Sequence, residues 1–96
     1  MSSTDRTTSW TFLTNHTQVL ICISQDVNIT LREVANKVGI TERAAQRIVA
    51  DLVEAGIIDR RRVGRRNHYL VNRGAAMRHE AQAKHRIGPL LDLLQA

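Results

Sequence analysis

Half of the cationic side chains of this sequence fall in one quarter of it. Seven of its fourteen Lys and Arg residues (Arg43, Arg47, Arg60, Arg61, Arg62, Arg65 and Arg66) lie between positions 43 and 66, and Asp59 is the only acidic residue from 57 to 79. A guanidinium is a planar fork that pairs bidentately with phosphate oxygens and also matches the O6 and N7 edge of guanine. Gln46, next to Arg47, offers the donor and acceptor pair that adenine requires. This chemistry is recognition of a polyanion without bond making, and the +5 net charge and pI near 10.7 agree with it. No glycine-rich phosphate loop, paired carboxylates or Cys-His signature is present, so neither an enzyme nor a bound cofactor is expected.

These groups must be held by short elements. Thr41 is placed to cap a helix over 42–55, Glu42 suits its positive end, and Ala45, Ile48, Val49 and Leu52 return at helical spacing. The opposite face then shows Glu42, Arg43, Gln46, Arg47 and Ala50. Glu42 has a second use, since a carboxylate there accepts from cytosine. Upstream, Thr30 and Glu33 make a capping box for a helix over 31–38, with Leu31, Val34, Ala35 and Val38 on one face and Gly39 as its left-handed stop. Asn15 with Gln18 predicts the cap of an earlier helix over 16–24. Its apolar run from 19 to 23 fits a buried strand equally well by pattern, and the cap signal favours helix. Downstream, 57–62 and 67–71 read as two strands about a turn at Gly64.

Side chains alternate across a strand, so Arg60 and Arg62 share one face and Arg61 takes the other. The pair is the better candidate for a nucleic-acid surface, with Arg65 and Arg66 at the hairpin tip and Asn67 beside them. Arginines in this position either clamp phosphates or enter a narrow minor groove. A cationic edge that discourages aggregation accounts for at least one of them.

Ala35, Gly39, Ala45 and Ile48 have the spacing that crosses two helices tightly through a short turn. With the hairpin directly after Gly56, residues 15–71 resemble the winged helix-turn-helix of MarR-like and ArsR-like transcription regulators. Ala45 departs from the branched residue usual there, which predicts looser contact between the two helices. The resemblance implies a mainly α fold with a small β-hairpin (α+β) and double-stranded DNA as partner. Thr41, Glu42, Arg43, Gln46 and Arg47 would read the major groove, and Arg60, Arg62, Arg65, Arg66 and Asn67 would form the wing.

The remaining chain divides into a polar tail at 1–9 and a C-terminal segment at 73–96, leaving 10–72 as the DNA-binding domain. Trp10, Phe12 and Leu13 are too apolar for water and should anchor on the body or on a second protomer. Residues 75–94 read as helical, with Pro89 either opening a terminal helix or kinking a longer one. Ile87, Leu90, Leu91 and Leu94 form a stripe at i, i+3, i+4 and i+7 that needs a cover, either by folding back on its own domain or, the preferred reading, at the interface of a homodimer, whose two-fold symmetry would present two reading helices to an inverted repeat. The lone Cys22 and the absence of a leader-like start or a long apolar run predict a cytoplasmic protein that does not enter a membrane. Two other readings use the same fold. One is a protein-interaction or adaptor module with no operator of its own. The other is a metal-sensing repressor drawing on Cys22, His16, His68, His79 or His85, but no two of these have the spacing of a local site, so no metal ligand is expected.

Overall fold

The computed structural model describes residues 11–95. Four helices and one hairpin follow in the order α1 (Asn15–Gln25), α2 (Leu31–Val38), α3 (Glu42–Glu54), β1 (Ile58–Val63), β2 (Arg66–Val71) and α4 (Ile87–Gln95), with a 3-10 turn at Glu80–Gln82 before α4. The tail expected at 1–9, and Trp10, lie outside the described residues.

α1 starts one position earlier than its sequence suggests. Thr14, not Asn15, is the cap, and its hydroxyl accepts from the Thr17 N–H at 3.2 Å. α2 has the complete capping box: the Glu33 amide donates to Thr30 Oγ1 at 3.1 Å, and Glu33 Oε1 accepts from the Thr30 amide at 2.9 Å. It ends at Gly39, whose φ of 84° is left-handed, where the amides of Gly39 and Ile40 both donate to the Ala35 carbonyl. Two residues later Thr41 caps α3 through the Ala44 amide.

α1, α2 and α3 pack around Val19, Ile23, Val34, Ala45, Val49 and Leu52. Ala45 is fully enclosed, so its small side chain admits no solvent between α2 and α3. The hairpin closes this core from one side with Ile58 and Tyr69. Its register pairs Ile58 with Val71, Arg60 with Tyr69 and Arg62 with Asn67. The turn has two residues, with φ positive at Gly64 (64°) and not at Arg65, as in a type II′ hairpin. Tyr69 also donates its amide to the Val27 carbonyl, which ties the connector between α1 and α2 to the edge of β2.

The continuous helix expected over 75–94 is not formed. The Met77 amide donates to the His85 carbonyl, the Ile87 amide to Ala75, and Ala76 bridges Arg86, so 75–77 and 85–87 form a short antiparallel clasp. Pro89 explains the break. In a continuous helix its amide would serve the His85 carbonyl, but proline has no N–H and its ring crowds that carbonyl. Met77 serves it instead. Of the two roles considered for Pro89, the structure gives one close to the opening position: it stands third in α4, within the first turn. The amides of Ile87 and Gly88, which have no helical acceptor, reach the carbonyls of Ala75 and Arg73. Gly88 lies so close to Arg73 that a Cβ would stand 3.0 Å from that residue's Cβ, and Arg73 continues across to Asp92 at 2.7 Å.

Among the described residues no helix is long and apolar enough to cross a membrane.

Candidate nucleic-acid interface

α3 divides its faces cleanly. Ala45, Ile48, Val49 and Leu52 are buried, while Glu42, Arg43, Gln46, Arg47 and Ala50 are exposed, and Thr41 is exposed at the cap. The guanidinium and amide groups of Arg43, Gln46 and Arg47 therefore stand on one solvent-facing strip, all within the first half of the helix. A recess of about 510 Å³ runs beside this strip between α3 and the start of α1, bordered by Asn15, His16, Arg43 and Arg47. His16 Nε2 donates to Asp51 Oδ2 at 2.9 Å, which fastens α1 to the middle of α3.

The hairpin arginines fall into distinct positions. Arg60 and Arg62 share the sheet face that carries the buried Ile58 and Tyr69, and both extend beyond the core into solvent. Arg61 occupies the other face, where Asp59 lies 3.7 Å away and offsets its charge. Arg65 sits in the turn, exposed and with no hydrogen-bond or ion-pair partner among the described residues. Arg66 belongs to β2 and not to the turn itself, and it leans on the body by donating to the Asn28 carbonyl at 3.4 Å. Asn67 is half-buried.

The wing and α3 are joined by the first turn of α2. Arg65, Arg66 and Asn67 border a cleft of about 190 Å³ whose opposite wall is Asn28, Thr30 and Leu31. One residue further, Arg32 pairs with Glu42 at 3.5 Å, across to the first turn of α3. The result is one predominantly cationic band from the hairpin tip over the start of α2 to the exposed strip of α3, interrupted at its centre by Glu33 and Glu42. Sequence reasoning missed Arg32. Its exposed place two positions after the Thr30 cap was visible, but its contact with Glu42 depends on how the two helices cross. The pair also gives the Glu42 carboxylate a partner within the protein. Glu33 faces the same region, and its bonds from the Thr30 amide and hydroxyl hold its carboxyl below the usual carboxylate range.

Residues 13–59 match the sequence model of a family described as winged helix-turn-helix DNA-binding. The chain carries a winged helix-turn-helix DNA-binding domain. Its fold is similar to the crystal structure of a predicted DNA-binding transcriptional regulator from E. coli, with a TM-score of 0.59, 19% identity, and coverage of 81% of this chain and 70% of that one. A search of curated proteins gave no significant match. In this winged helix-turn-helix, α2 and α3 are the helix pair and β1 and β2 the wing, with the connector between α1 and α2 joined to β2 by one backbone hydrogen bond.

The other sequence candidates are placed as follows. Ile87 and Leu91 of the C-terminal stripe are buried in the chain's own core, while Leu90 and Leu94 are half-covered and Leu93, which the stripe omitted, is 74% exposed. Of the conceivable metal ligands, Cys22 is buried and burial pushes its thiol pKa up. His68 donates to Asn28 Oδ1, and His79 accepts from the Ala81 amide. Among the described residues no three His, Cys, Asp or Glu side chains gather where they could hold an ion.

Proposed function

We propose that this protein is a sequence-specific transcription regulator that binds double-stranded DNA as a homodimer on an inverted repeat. The observation that carries the reading is the exposed strip of α3. Gln46, whose amide suits a bidentate pair with adenine, is exposed beside Arg47, whose guanidinium suits one with guanine, on a helix otherwise fixed by buried aliphatic side chains. Arg43 and the Arg32–Glu42 pair flank the strip, with Thr41 at its start. Arg60, Arg62, Arg65, Arg66 and Asn67 act as the wing, contacting phosphates or an adjacent minor groove and setting the register in which α3 docks. The description of the E. coli protein as a transcriptional regulator is consistent with this role.

The second protomer would meet the part of α4 that the core leaves uncovered, Leu90, Leu93 and Leu94. Ile87 and Leu91 support that surface from beneath. Such a dimer neutralises roughly 6 to 10 phosphates, so its affinity falls about a thousandfold or more between about 50 and 200 mM salt.

Selection of binding sites from random duplexes tests the reading. A regulator returns a two-fold symmetric consensus, and Arg47→Ala loses preference at one base position in each half-site. A protein-interaction module with the same fold returns no consensus, which would overturn the assignment.

A further inference from the structure

Outside the cationic band, an apolar groove of about 470 Å³ lies between α1, the 77–82 segment and α4. Leu20, Leu52, Ile57, Met77 and Leu90 line it, and Thr14 and Thr17 at the start of α1 form its lip. We propose that this groove is the docking site of the chain's own N-terminal arm, residues 1–10, with Trp10 as the side chain that enters it.

Three observations lead to this occupant. The arm joins the described structure at Thr11, three residues before Thr14, which lines the groove. Four residues span at most about 13 to 14 Å, which holds Trp10 within reach of the groove and away from distant surfaces. Residues 1–9 hold no large apolar side chain except Met1, so Trp10 is the one group of the arm whose burial repays ordering it. Phe12 does not fill the role. It is 91% exposed on a bend closed by the Thr11 hydroxyl bonding to the Leu13 carbonyl, and that bend turns the chain sharply just before α1.

The groove surface is mostly apolar, and Arg78, His79 and His16 also belong to its lining, a setting that fits an indole with a partner for its N–H. Leu52 belongs to α3 and Ile57 to the base of the wing. A docked Trp10 therefore braces both DNA-facing elements from behind, while the strip of α3 and the hairpin tip stay open.

Trp10 is the single tryptophan, so its fluorescence reports the proposal without any DNA and independently of the regulator assignment. In the full-length wild type the emission is expected to be blue-shifted and several-fold less quenched by iodide than free tryptophan. Thr17→Glu and Met77→Glu, both at half-buried groove positions outside the dimer face, should each shift the emission toward that of water-exposed indole with the far-ultraviolet circular dichroism unchanged. Water-like emission in the wild type, or groove variants that leave the spectrum unmoved while remaining folded, would overturn the proposal. The blue shift must also persist on dilution. Its loss as the protein is diluted would identify the occupant as the arm of a second copy and overturn the intramolecular assignment.

Discussion

Helices α3 and α4 both carry an apolar stripe at helical spacing, yet they end with opposite kinds of outer surface. The stripe of α3 is used up inside the domain, and what remains is a finished polar face of Glu42, Arg43, Gln46 and Arg47. α4 buries Ile87, Gly88 and Leu91 and still shows Leu93 to water, with Leu90 and Leu94 half-covered. A polar face costs little in solvent and gains when it meets a hydrated, charged ligand. An apolar one loses about 25 cal/mol for every Å² left wet, so it gains by being covered. The two helices are thus suited to different classes of partner.

The contrast is sharpest at Leu91 and Leu93, two residues apart on α4. Leu91→Ala should destabilise by about 2 to 5 kcal/mol in urea unfolding, because it empties a fully enclosed site. Leu93→Ala at low protein concentration should stay within about 0.5 kcal/mol of wild type. Equal effects would erase the distinction between the buried and the open side of α4. On α3, Arg47→Ala should leave unfolding unchanged and cost about 1 to 3 kcal/mol of discrimination at one base position, read by competition binding.

Smaller effects sharpen the same division. Thr30→Ala should cost about 1 kcal/mol of stability by removing the cap of α2. It should also flatten the acid limb of the stability profile. Glu33 has a depressed pKa in the folded protein, so its contribution is complete above the unfolded-state value and fades as pH falls through the folded one. Arg65→Ala, at an exposed turn position, should weaken binding to all sequences alike and lower the salt slope by about 1.

The helix pair was legible because its signals are local. Thr30 with Glu33, Gly39, and Thr41 with Glu42 each act within one turn of chain, and α2 begins and ends where they place it. Period-two alternation separated Arg60 and Arg62 from Arg61, and the structure added only which face Tyr69 occupies. The segment 75–86 was misread as helix because its alanines favour helix locally, while Ala75, Met77 and His85 at its ends bond to partners eight to twelve residues away. Propensity is a weak prior against such bonds, and Pro89 was the signal that should have outweighed it. The Arg32–Glu42 contact left no trace in either local pattern, since it exists only where two helices cross.

The fit of Gly88 against Arg73 has a mechanical meaning. Arg73 stands two residues after the end of the wing's second strand and grips both the Gly88 carbonyl and Asp92. Arg73 therefore links the terminal helix directly to the end of the hairpin, bypassing the long excursion between them. The C-terminal helix and the end of the hairpin are thereby coupled at one side chain.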